Sequence, residues 1–257
     1  MTALTHSWYM TVRHLRALKR QPWWLAITFI QPIINLVLYG QLFQRVVDLP
    51  GFQATNYVTY VTPGIVIMMS LFGGGWNGMG IIYEMDNGVM DRFLVSPVSR
   101  TAIIAGRLIQ MSILVTIQAS ILLVLGFLMG ARFEGGVVGL LVLLASAVLV
   151  AVPFGALSNA MALVLRRAES VIGASNFILL PLTFLSPVFM ASALMPPWIR
   201  AVARFNPVAW SVEAARSAMS TAPNWPAIAL RLASLVVLSA FSAMVATRAF
   251  RSYQRSA

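Results

Sequence analysis

Apolar runs long enough to cross a bilayer alternate with short polar segments along the whole chain. Six can be drawn: Trp23–Phe43, Tyr57–Ile82, Leu108–Met129, Val137–Leu165, Val171–Leu194 and Ala227–Thr247. A hydrocarbon core of about 30 Å takes roughly 20 helical residues, and each run reaches that length. The pattern predicts an all-α polytopic membrane protein with six transmembrane helices, forming a single domain over residues 1–257. The second run contains Pro63–Gly64 and the segment Gly73-Gly74-Gly75-Trp76-Asn77-Gly78-Met79-Gly80. Glycine there serves either close helix packing or a break in the helix shielded by protein.

Three polar segments carry patterns of their own. Over residues 7–21, Trp8, Val12, Leu15 and Leu18 share one helical face, and Arg13, Arg16 and Arg20 lie beside it. This predicts an N-terminal amphipathic helix along the inner membrane surface; an ordinary basic flank would supply the charge but not the spacing. The inner segment 83–101 holds Glu84, Asp86 and Asp91, three of the seven acids, within eight residues. Acids contribute little to topology, so the cluster reads either as a solvated loop or as a docking surface. Over 195–220, Trp198, Ile199, Val202 and Phe205 lie opposite Arg200 and Arg204, and Asn206–Pro207 then breaks the helix. Val208, Val212, Ala215 and Met219 align in a second pattern, so two short amphipathic helices are expected at the outer surface.

Composition agrees: 59% of residues are hydrophobic and 10% charged, against about 25% charged in a soluble domain. The net charge of +11 would point first to nucleic acid in a soluble chain. Here the basic residues gather at the ends of apolar runs, where topology and membrane lipids explain them, and no nucleic-acid partner is expected. With the N-terminus inside, the inner side carries 12 of the 18 Lys and Arg and the outer side 6. Both termini are therefore expected in the cytoplasm. The first run exceeds a signal-peptide core of about 7–15 residues and is expected to remain as the first span.

Several chemistries lack their residues. There is no cysteine, and both histidines, His6 and His14, precede the first run, so no metal site within the membrane is expected. The six runs hold no Lys or His to serve as base to a nucleophile, and Gly155-Ala-Leu-Ser158 reads as small-residue packing. All seven acids, Asp48, Glu84, Asp86, Asp91, Glu134, Glu169 and Glu213, lie outside the runs, which argues against ion-coupled transport. No G-x-x-x-x-G-K-[ST] phosphate loop occurs, and the sole lysine, Lys19, is followed by Arg20. Any ATP-derived energy must then come from another polypeptide.

Two regions carry a family resemblance. The inner one reads Glu84-Met-Asp-Asn-Gly88-Val-Met-Asp91-Arg-Phe-Leu94-Val-Ser-Pro97-Val-Ser-Arg100, followed by Gly106-Arg107. The outer one reads Leu185-Ser-Pro-Val-Phe189, Met195-Pro-Pro-Trp198, Asn206-Pro207 and Glu213-Ala-Ala-Arg216. In order and spacing the chain resembles permeases of the type-2 ATP-binding-cassette (ABC) exporter family, most closely the bacterial daunorubicin-resistance type. Val89 stands where that family often has Thr.

The resemblance implies a non-enzymatic transport subunit of the bacterial inner membrane, paired with a second copy of itself or a paralogous permease. A separate ABC ATPase subunit would bind ATP and Mg, and this chain no cofactor. The family's coupling segment falls on Glu84, Asp86, Gly88, Asp91 and Arg92, with an ATPase-contacting role for the N-terminal helix carrying Arg13, Arg16 and Arg20. An outer gate falls on Phe189, Met195, Trp198, Asn206 and Pro207. An amphiphilic substrate (a drug, lipid or glycolipid) suits so apolar a conduit. The competing readings are an ion-driven secondary transporter, a membrane scaffold and a polysaccharide-exporting permease.

Overall fold

Helices make up nearly all of the described residues of the computed structural model, which are 7–14, 22–48, 56–90 and 100–256. No strand occurs among them. In chain order the helices are α1 (7–14), α2 (Pro22–Leu42), α3 (Tyr57–Gly75), α4 (Met79–Asp86), α5 (Arg100–Leu128), α6 (Gly136–Leu165), α7 (Ala168–Phe184), α8 (Pro197–Ala203), α9 (Pro207–Ala218) and α10 (Trp225–Ser256). Short 3-10 turns at Gln44–Asp48 and Ser192–Leu194 complete the set.

The helix starts follow local chemistry. Asn56 accepts from the Val58 N–H and caps α3, and Asn206 accepts from the Val208 N–H and caps α9, with Pro207 in its first turn. At the far end of α6, Arg166 adopts a left-handed conformation with φ of 53°, and its N–H closes on the Ala162 carbonyl.

α6 is the hub of the bundle, packed by α3, α5, α9 and α10. Leu143, Ala147, Val150 and Ala151 on α6 are buried, as are Val61, Ile65, Ile67 and Leu71 on α3. Among the described residues, four segments are long and apolar enough to cross a membrane: Tyr57–Asp86 (taken through its internal turn), Ala102–Leu128, Gly136–Leu165 and Trp225–Phe250. α7 is apolar but only 17 residues long. Large apolar side chains on the outside of the bundle, among them Leu128, Val137, Phe177, Leu230 and Val237, suit contact with lipid.

Four expectations change. The second run is two helices: α3 ends at Gly75, the chain turns through Trp76–Gly78, and α4 starts at Met79. Packing and break are both present, because a Cβ on Gly74 would collide with the Ala151 carbonyl and one on Gly78 with that of Ser158. The fifth run stops at Phe184, not Leu194. Beyond it the chain turns, and Asn206 and Arg216 take carbonyls at Leu182, Leu185, Pro187 and Val188. The acidic segment expected as a loop from residue 83 begins inside α4, which runs to Asp86. Finally, α9 does not lie on the surface: Val208, Val212 and Ala215 are fully enclosed, and it packs chiefly on α6 and α10.

Candidate coupling site and outer clamp

At one end of the bundle α1, α4 and α5 converge on a single carboxylate. Glu84 sits in the last turn of α4 and is buried. One of its oxygens is paired with the Arg107 guanidinium from α5 and the other with Arg13 from α1. Arg107 is itself buried and also donates to the Gly80 carbonyl at 3.0 Å, one turn up α4. The His14 Nδ1 lies 3.6 Å from the same carboxylate. Burial is the main cause that pushes the His14 pKa down to about 4; Arg107 and Arg13 push the same way and Glu84 opposes them. His14 is therefore a neutral imidazole at neutral pH.

The neighbouring glycine makes the convergence sterically possible. A Cβ on Gly106 would overlap Met10 of α1, and the Thr11 hydroxyl donates to the Gly106 carbonyl at 3.2 Å. The Gly106-Arg107 pair thus has two separate tasks, close approach of α1 and neutralisation of Glu84. α1 turns Ser7, Met10 and Thr11 toward the bundle, while Trp8 and Tyr9 are exposed. Its apolar outward side can meet lipid, as the sequence pattern suggested, but it is anchored by its small and polar side.

The expected coupling residues therefore divide. Glu84 is not an outward-facing carboxylate, because both oxygens are taken inside the chain, and Arg13 is one of the groups that take them. Asp86 is exposed. Gly88 follows in a turn with φ of +64°, and nothing lies within 4 Å of the position its Cβ would take. Asp91, Arg92, Arg16 and Arg20 lie outside the described residues.

The opposite end is organised by Arg216 of α9. Its Nε donates to the Tyr60 carbonyl at 3.1 Å, Nη1 to the Tyr60 hydroxyl at 2.7 Å and to the Pro187 carbonyl, and Nη2 to the Val188 carbonyl at 2.8 Å. The guanidinium carbon stands 3.6 Å from the centre of the Tyr60 ring, a cation–π stack. Asn206 uses its amide to donate to the carbonyls of Leu182 and Leu185 at 2.7 and 2.9 Å. Asn206 thus takes the Leu182 carbonyl left open at the end of α7 and that of the Leu185 cap, while Arg216 takes carbonyls of the turn that follows. A 2.6 Å ion pair between Glu213 and Arg231 fastens α9 to α10.

Of the expected outer-gate residues, Asn206 and Pro207 belong to this clamp. Phe189 adjoins it, through a 3.2 Å bond from the Tyr57 hydroxyl to its carbonyl and a ring contact with Tyr39 at 4.8 Å. Met195 is buried, its carbonyl accepting from Arg200, and Trp198 is exposed. The sequence reading missed the work of Tyr60 and His14. It named Arg107 and Arg216 only as parts of a motif, and the Gly106-Arg107 adjacency was the available signal.

Comparison with known proteins identifies the family. The sequence profile described as ABC-2 type transporter matches residues 5–220. The chain is 29% identical over 227 residues to the daunorubicin resistance ABC transporter permease protein DrrB1 of Streptomyces coeruleorubidus, covering 86% of this chain and 76% of that one. It is 28% identical over 229 residues to the putative transport permease ycf38 of Cyanophora paradoxa, covering 88% and 76%. It is 27% identical over 206 residues to the inner membrane transport permease YadH of Escherichia coli K12, covering 74% of each chain. With a family match spanning most of its length, the chain belongs to the ABC-2 type transporter family and is a multi-pass transport permease.

Proposed function

We propose that this chain is the membrane subunit of an ATP-driven exporter for amphiphilic molecules, working in the cytoplasmic membrane with a separate ATPase. In this reading α2 and α7 join the four longer segments to make six spans, and two permease subunits enclose the conduit. ATP and Mg bind on the partner ATPase. The termini and the Glu84 cluster face the cytoplasm, in keeping with the 12-to-6 bias of basic residues.

The observation that carries the proposal is the buried ion cluster Arg13–Glu84–Arg107. It joins three segments at one end of the bundle, so a push on the turn after α4 is delivered to α1 and α5 together. Glu84 transmits, and the exposed Asp86, with Asp91 and Arg92 beyond it, offers the docking contacts. The outer clamp of Arg216 and Asn206 holds the exit side closed until α7 and α9 separate. The name of the Streptomyces relative, a daunorubicin resistance permease, supports an amphiphilic drug among the substrates.

Two experiments test this. The tagged chain should copurify with an ATPase bearing a phosphate loop, and inside-out vesicles containing both should accumulate daunorubicin only with ATP. Accumulation driven by a proton or sodium gradient without ATP would overturn the reading.

A further inference from the structure

Where α3 passes into α4, the interior of the bundle is polar. Asn77, in the turn, donates from its amide to Oδ1 of Asn159 on α6 at 3.2 Å. The Gly78 N–H donates to the Ser158 hydroxyl at 3.0 Å, and the Ser175 hydroxyl of α7 donates to the Gly75 carbonyl at 2.7 Å. The Trp76 indole N–H reaches Oδ1 of Asn176 at 3.3 Å across the surface of the cluster. Ser158, Asn159 and Ser175 are buried, Asn77 and Asn176 half-buried, and Trp76 is 41% exposed. Five polar side chains and one indole from three elements therefore meet within apolar helices.

One part of this cluster is left over. The Asn159 Nδ2 is fully enclosed and has no hydrogen-bond partner among the described residues. Helix packing does not account for it. Alanine or leucine at 159 would pack without a desolvated amide, which costs on the order of 1–3 kcal/mol when unsatisfied. The turn is held by Ser158, Ser175 and the Oδ1 of Asn159, and none of these contacts uses the Asn159 Nδ2. Unpaired polar groups beside a helix interruption in a membrane protein are a general feature of ligand sites.

We propose that Asn159 and Asn77 form a subsite for a neutral hydrogen-bonding group, a carbonyl, amide or hydroxyl oxygen, carried by an otherwise apolar molecule. The free amide donates to that oxygen, and the Trp76–Asn176 contact lies at the exposed side of the same cluster. The group is neutral because the cluster itself holds no charged side chain, and the nearby Arg107 is committed to Glu84 and Gly80. This inference deepens the export reading by naming what in the substrate is recognised. It can fail independently, since binding requires no ATPase.

The test is equilibrium binding to the purified full chain, read as tryptophan-sensitised dansyl emission. Two dansyl amphiphiles of equal chain length are compared, one with a mid-chain amide and one with two methylenes in its place. One hydrogen bond in a dry site predicts about tenfold tighter binding of the amide probe. In Asn159→Leu that preference should vanish while the hydrocarbon probe binds as before; Asn159→Ala, which adds no bulk, provides a second variant. Equal affinities in the unsubstituted chain, or a preference that survives both substitutions, overturns the subsite. A subsite that holds only water gives the first of these results. Lack of ATP-dependent export with the preference intact would instead count against the export reading alone.

Discussion

Replacing Glu84 by glutamine removes the one negative charge between two guanidinium groups while keeping the side chain's size. Arg107 is then a buried cation without its counter-ion, and removing one partner of a buried pair costs about 3–5 kcal/mol. The Arg13 side chain is 42% exposed, so its share is screened by water and the lower end, about 3 kcal/mol, is the better figure. The Arg107 part of the loss falls on the α4–α5 contact; the part that falls on the docking of α1 is the screened Arg13 bond, beside the Thr11–Gly106 bond and the Met10 contact. With that bond worth about 1 kcal/mol, amide exchange over residues 11–14 should quicken by roughly fivefold. Hydrogen-exchange mass spectrometry of the reconstituted chain measures this, with the outer clamp as internal reference. The double variant Glu84→Leu/Arg107→Met removes the uncompensated buried charge and should recover much of the thermal stability, while α1 stays as exposed to exchange as in Glu84→Gln. Exchange within threefold of the unsubstituted chain in Glu84→Gln would refute the claim that the ion cluster holds α1.

Three more perturbations have defined outcomes. His14 has a lower pKa docked than in a free chain, so its contribution is complete above about pH 6.5 and is lost as pH falls toward about 4. The shift corresponds to about 3 kcal/mol, and exchange of α1 should accelerate over that window, with His14→Phe abolishing the His14 part of the pH dependence. A side chain on Gly64 would run into the Val188 carbonyl, so Gly64→Val should lower thermal stability by about 1–3 kcal/mol, without loosening α1. Arg216→Met strands the Pro187 and Val188 carbonyls and should destabilise the outer end by about 2–4 kcal/mol in denaturant titrations. Arg216→Lys should restore only part of that, since a single ammonium cannot copy the planar fork.

Helical class, apolar segments and the helix break at Asn206–Pro207 were legible because each depends on a few neighbouring residues. The same is true of the aligned face Val208, Val212 and Ala215, which is the buried side of α9. Its placement was not legible: a short amphipathic helix can lay its apolar stripe on lipid or on protein, and spacing does not distinguish them. Where the fifth run ends was hidden for a related reason. Hydropathy continues past Phe184, but Asn206 takes the Leu182 carbonyl that another helical turn would have used, and Arg216 holds the following turn by its Pro187 and Val188 carbonyls. Those donors lie more than 20 residues away in the chain and are brought there only by packing. The inner acids show the division most clearly. Sequence alone determined that Glu84 and Asp86 stand in an acidic segment between two apolar runs, and that so many acids together are unusual in this chain. Only the tertiary structure decided that Asp86 faces outward while Glu84, two residues earlier and so on a different side of the helix, is enclosed. Its partners, Arg13 and Arg107, lie 71 positions before it and 23 after it, and no local pattern in the chain joins them.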